Sequence, residues 1–145
     1  VMVALGGKAP EPPMRLTAEM TSERKELKPL HILLVEDNEK NCLIIKAFLN
    51  NSPHRIDVAE NGAVGVKKFM SGQFDLVLMD IKMPVMNGVQ ANQEIKKINK
   101  NIPVIAVTAY AYAHDKDEIM QHNFKDYIIK PLKPQRLIEA INNLI

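Results

Sequence analysis

The chain has a single cysteine in 145 residues, which excludes an internal disulfide. No spacing of histidines or cysteines supplies the nitrogen and sulfur ligands that zinc prefers. Cys42 stands in the run Cys42-Leu43-Ile44-Ile45 and reads as a small side chain to be buried in a reducing compartment. An excess of one charge is also lacking. The 19 basic and 17 acidic side chains leave a net +2, too balanced for a domain whose main partner is nucleic acid. No stretch approaches the ~20 apolar residues that cross a bilayer, and Val1 to Leu5 is too short, with no basic residues before it, for a signal-peptide core. This segment is therefore expected to touch neither nucleic acid nor membrane and to lie in the cytoplasm, which is compatible with a membrane anchor elsewhere in a parent protein. The opening Val1 in place of Met points to a piece of something longer.

What is present is a core. The 46% hydrophobic content is ample for one domain of this length. Residues 1–29 carry Pro10, Pro12, Pro13 and Pro29, the pair Gly6-Gly7 and the charged run Glu23-Arg24-Lys25-Glu26. That composition reads as a largely irregular linker or leader, with room for one short helix over 18–27. Residues 30–145 alternate five strand-like runs (31–35, 55–59, 75–79, 103–108 and 126–129) with helical patterns over roughly 39–50, 62–71, 88–98, 112–122 and 134–144. Apolar pairs such as Ile44/Phe48 and Leu137/Ile141 mark the helical spacing. Five β/α units predict an α/β fold with a doubly wound parallel sheet covered on both faces. The third and fourth runs are almost wholly apolar, as central strands are, and the second alternates as an edge strand does.

In such a sheet, function gathers at the carboxyl ends of the strands. The first strand runs into Glu36-Asp37-Asn38, the third into Asp80, the fourth into Thr108 and the fifth into Lys130-Pro131. Neighbouring strands would bring three carboxylates, an ammonium and a hydroxyl together. Two like charges about 4 Å apart repel by ~4 kcal/mol at a protein-surface dielectric, so the cluster calls for a cation. All-oxygen ligation with few protein ligands suits Mg²⁺. A carboxylate beside Mg²⁺ can attack phosphorus in line, with the others on the metal and Lys130 and Thr108 facing the phosphoryl oxygens.

Val35-Glu36-Asp37-Asn38, Met79-Asp80-Ile81-Lys82-Met83-Pro84-Val85-Met86-Asn87-Gly88, Val107-Thr108-Ala109 and Tyr127-Ile128-Ile129-Lys130-Pro131 together resemble the response-regulator receiver domain of two-component signalling. The likeness covers about residues 30–145. It implies the five-stranded flavodoxin-like (βα)5 fold with strand order 2-1-3-4-5, and Asp80 as phosphoacceptor from a phosphohistidine. It implies Mg²⁺ held by Glu36, Asp37, Asp80 and the Lys82 main-chain carbonyl, with Thr108 and Lys130 on the phosphoryl group. Thr108 and Tyr127 would form a conformational switch, and Lys130-Pro131 a cis peptide bond that orients the lysine. Glu36-Asp37-Asn38 followed by Asn41, and the Met-Pro-Val-Met-Asn-Gly stretch, are similar in style to receivers of hybrid sensor histidine kinases. The partners implied are a histidine kinase core, a histidine phosphotransfer domain or both; the oligomeric state stays open. One departure is visible: the family's glycine before the last strand is absent from His122-Asn123-Phe124-Lys125-Asp126-Tyr127, where Asn123 can serve as the left-handed cap.

Plainer readings compete at each position. Glu36-Asp37 alone reads as a solvated loop, Lys130 alone as a surface lysine and Tyr127 as a core aromatic. Asp80 as a helix N-cap fits poorly, because Met83-Pro84 comes next and the following helix starts near Asn87. Asn87-Gly88 reads as a turn and N-cap only. Tyr110 and Tyr112 read first as simple surface aromatics, with a role in water access or partner docking as the alternative. His31, His54, His114 and His122 lack a helical phosphodonor setting and read as structural or surface residues. The leading function is a switch module that phosphorylates and dephosphorylates itself. An aspartyl-phosphate hydrolase would want an aspartate two residues after the nucleophile, where Lys82 stands. The alternative is a non-phosphorylated pseudo-receiver that serves as a scaffold for protein interaction.

Overall fold

A computed structural model describes residues 29–109, 117 and 119–144. The elements run β1 (His31–Val35), α1 (Glu39–Phe48), β2 (Arg55–Ala59), α2 (Gly62–Ser71), β3 (Leu76–Asp80), α3 (Gly88–Ile98), β4 (Val104–Thr108), β5 (Asp126–Ile129) and α4 (Pro134–Asn142). Asp117 and residues 119–121, ahead of β5, are also helical. The leader over 1–28, His114, Tyr110 and Tyr112, and most of the helix expected over 112–122 lie outside the described residues.

All pairings are parallel, in the order β2-β1-β3-β4-β5. Alternation along each strand sorts the core onto two faces. Leu33, Val35, Val77, Met79, Val104 and Ala106 face one side, against Phe69, Ala91 and Ile95 of α2 and α3. Ile32, Leu34, Leu76, Leu78, Ile105 and Ile128 face the other, against Cys42, Ile45, Leu137 and Ile141 of α1 and α4. Fully burying each such side chain stabilises the fold by roughly 1.5–3 kcal/mol. β3 and β4 are buried at every position, whereas β2 is buried only at Ala59 and lies at the edge.

The helices start where short polar side chains can accept orphan N–H groups. The Asn38 side chain accepts from Lys40 and Asn41, and that of Asn61 from Val64. Asn87 and Gln90 form a reciprocal capping box. Asn123 has φ 69°, the left-handed cap expected in place of glycine. The third strand is displaced by one residue from the expected 75–79. Asp75 is held outside it, its N–H donating to the His31 carbonyl and its carboxylate accepting from the His31 N–H, and Asp80 joins the ladder opposite Val107. β4 begins at Val104 rather than Pro103, which has no N–H to donate. α1 ends at Phe48 and α4 at Asn142, two residues short of expectation at each C-terminus.

Candidate functional site

Register assembles the site. Val35 lies opposite Met79, Asp80 opposite Val107 and Thr108 opposite Ile129, so the residues at and just beyond these positions share the carboxyl edge of the sheet. The carboxylates of Glu36, Asp37 and Asp80 each place an oxygen within 4.8 Å of the other two. Glu36 and Asp80 are 2% and 4% exposed, and Asp37 is open to solvent. Lys130 Nζ stands 3.4 Å from both Glu36 Oε1 and Asp80 Oδ2. Thr108 is buried at the end of β4, and its carbonyl accepts from the Lys130 N–H at 2.8 Å. The Lys130–Pro131 peptide bond is cis.

One ammonium does not balance three carboxylates. Glu36 Oε2 accepts from the Asn38 N–H at 3.1 Å, whereas Oε1 accepts no hydrogen bond. With only the Lys130 ammonium 3.4 Å away, that buried oxygen is under-satisfied. Asp80 registers the same imbalance. Burial first, then repulsion from Glu36, pushes its carboxyl from 3.8 to about 7, against the opposing pull of Lys130. An all-oxygen donor set with one buried, unbonded oxygen and excess negative charge fits a hard divalent cation such as Mg²⁺.

Of the remaining candidates, Lys82 is exposed in the loop after β3. Tyr127 is half-buried on β5, opposite Ala106 and against the α2/α3 side of the core. Its N–H donates to Asp126 Oδ1, and its carbonyl accepts from Arg136 at 2.6 Å.

Two features of the loop from Asp80 to Gly88 escape sequence reasoning. Gly88 is more than a turn residue. A Cβ there would overlap the Asp80 carbonyl oxygen and lie 2.8 Å from Ile81 Cα, so α3 meets the end of β3 at a distance only glycine allows. Val85, 84% exposed, takes φ 72°, a conformation that a β-branched residue adopts only under strain. Its sequence carries no sign of this, since asparagine or glycine is the ordinary occupant.

Residues 32–142 match the response regulator receiver domain family. The chain belongs to that family. The receiver is 36% identical over 126 residues to hybrid signal transduction histidine kinase I of Dictyostelium discoideum, an alignment covering 81% of this chain and 7% of that protein. It is 39% identical over 106 residues to the transcriptional regulatory protein ZraR of Klebsiella oxytoca, covering 73% and 24%. The matches thus span a quarter or less of these curated relatives. Among solved structures it resembles the receiver domain of a sensor histidine kinase from Pseudomonas aeruginosa PAO1, at 32% identity and TM-score 0.73 over 80% of this chain and 97% of that one. That structure carries a magnesium ion coordinated in its active site cleft. Among the described residues of the receiver, no helix is long and apolar enough to cross a membrane.

Proposed function

We propose that this receiver domain takes a phosphoryl group onto Asp80 from a phosphohistidine, in a Mg²⁺-dependent step, and switches conformation in response. The observation that carries the reading is the meeting of three carboxylates within 4.8 Å with a lysine 3.4 Å from the two buried ones. Glu36, Asp37, Asp80 and the Lys82 main-chain carbonyl would hold Mg²⁺, which when bound supplies positive charge to the phosphoryl oxygens. An Asp80 carboxylate oxygen attacks phosphorus in line, the phosphorus–nitrogen bond breaks, and the imidazole of the donor leaves with the electron pair. Lys130, already beside the Asp80 oxygen, neutralises charge on the transferred group, and the Thr108 hydroxyl donates to it. Attack by water on the resulting acyl phosphate restores the carboxylate.

The modified Asp80 carries roughly −2 charge and three strong acceptors. Drawing Thr108 toward it frees space beside Tyr127 and shifts a two-state balance on the face made by β5 and the helix expected over 112–122. A ~3 kcal/mol preference for the switched state would move the populations by over a hundredfold. The similarity to a hybrid kinase supports a histidine kinase core or a histidine phosphotransfer domain as partner, and a place within a hybrid sensor kinase.

Intact-protein mass spectrometry after incubation with acetyl phosphate, with and without Mg²⁺, tests the reading. The expected result is a Mg²⁺-dependent gain of one phosphoryl group that Asp80→Asn abolishes. A folded, Mg²⁺-binding protein that gains nothing would instead be a scaffold.

A further inference from the structure

The amino end of the sheet, opposite the acceptor, holds the inverse of the acidic cluster. Lys96 and Lys100, at and beyond the end of α3, and Lys125, just before β5, line an open cavity of about 760 Å³ together with Asn101, Asn123 and Asn143. Among the described residues no carboxylate lines it, and none of the three lysines has an ion-pair partner. Among the described residues, Asp126 is engaged with Arg136 and Glu94 with Lys97. Lys96 is half-buried, and its partner among the described residues is neutral, the Ile102 carbonyl at 2.5 Å. Burial and the neighbouring Lys125 both press its ammonium below the ordinary value. Cations in the last turn of a helix complement its dipole, which accounts for Lys96. It does not account for Lys125, which arrives on a different segment.

We propose that this cavity binds a small polyphosphate anion, either the phosphate chain of a nucleotide or an inorganic polyphosphate. Positive charge that meets no carboxylate among the described lining residues, converging from two segments onto one concavity, calls for an anion, as the acidic cluster calls for a cation. Lysine ammonium groups bind phosphate as point charges, and three of them on one cavity match the several charges of a polyphosphate better than the single charge of a carboxylate. The carboxamides of Asn101, Asn123 and Asn143 supply further donors at the rim. The volume falls within the range of small-ligand sites.

The test is a heteronuclear NMR titration of the ¹⁵N-labelled 145-residue chain in Mg²⁺-free buffer, with inorganic tripolyphosphate in one series and ADP in another. The expected result is saturable shifts at Lys100, Asn101, Asn123 and Lys125 in both series, with affinity at least about tenfold weaker in Lys100→Glu/Lys125→Glu, a loss of about 1.4 kcal/mol or more. Lys46→Glu/Lys67→Glu, the same change of net charge placed on α1 and α2, controls for net charge and should bind as wild type. Equal affinity for the two ligands would identify the phosphate chain as the whole determinant, and tighter ADP binding would add contacts to its nucleoside. Absence of saturation to about 10 mM, shifts confined to the Lys130 end, binding of ADP alone, or undiminished affinity in the double variant would overturn the proposal.

Discussion

The two ends of β1 are built on opposite terms. At the amino end of β1, His31 sits between acceptors, with Nε2 2.8 Å from Asp57 Oδ2 and Nδ1 2.8 Å from the Gln73 carbonyl. Its ring lies 4.4 Å from that of Phe74, and its N–H donates to Asp75. The Leu30 N–H donates to His54 Nδ1. Each of these polar groups has a partner. At the carboxyl end, repelling carboxylates are buried beside one lysine, an oxygen of Glu36 accepts no hydrogen bond, and Val85 holds a strained backbone. The same strands supply both ends, so the difference lies in the loops that join them to the helices. The carboxyl end gives up stability to keep charge concentrated where chemistry is proposed.

The largest test of that contrast is Gly88→Ala. The new methyl would meet main-chain atoms of Asp80 and Ile81, which no rotamer change can relieve. The expected loss is about 1–3 kcal/mol in urea unfolding, with a reduced gain of phosphoryl mass from acetyl phosphate. Unchanged stability would show that α3 can slide away from β3.

Next in size is Asp80→Asn, which removes a charge from the cluster. Without metal at about pH 8 the variant should be more stable than wild type by about 1–2 kcal/mol, and saturating Mg²⁺ should shrink or reverse the difference. The pH dependence follows from the raised Asp80 carboxyl. Between about pH 4 and about pH 7 the folded protein keeps a proton that the unfolded chain has released, so this contribution to stability is complete below that window and is lost as pH rises through it. Mg²⁺ competes with the same proton, and its affinity should fall about tenfold from about pH 8 to about pH 6. Urea unfolding of wild type and variant across that range, and a Mg²⁺ titration at its two ends, would detect either failure.

The sequence carries the contrast unevenly. Strand runs, helical spacing and the order of chemically distinct strand endings are local signals, and the sheet translates them directly: β1, β2 and β5 have the expected bounds. The meeting of Glu36, Asp37, Asp80 and Lys130 follows once parallel strands are adjacent. Asp75 misleads because it looks like the start of a strand, and only the cross-strand bonds to His31 show that it caps the approach to β3. Gly88 misleads in the opposite way: a turn residue by pattern, it is also a steric requirement set by the end of β3, which precedes it in the chain. The basic cavity draws on α3, the segment before β5 and the end of the chain, and a net charge of +2 conceals it.

The smallest expected effect isolates strain from charge. Val85 is 84% exposed, so replacing it removes little buried surface, and what remains is its left-handed backbone. That conformation costs an ordinary L-residue roughly 1–2 kcal/mol and asparagine less. Val85→Asn should therefore stabilise the domain by about 0.5–1 kcal/mol at unchanged denaturant slope. If the rate of phosphoryl gain stays at the wild-type value, strain at the loop is incidental and the buried, repelling carboxylates alone distinguish the two ends of β1. If the rate falls as stability rises, the loop is held under strain for the reaction. No gain in stability would mean that Val85 relaxes out of the left-handed region, and the contrast would then rest on the carboxylates alone.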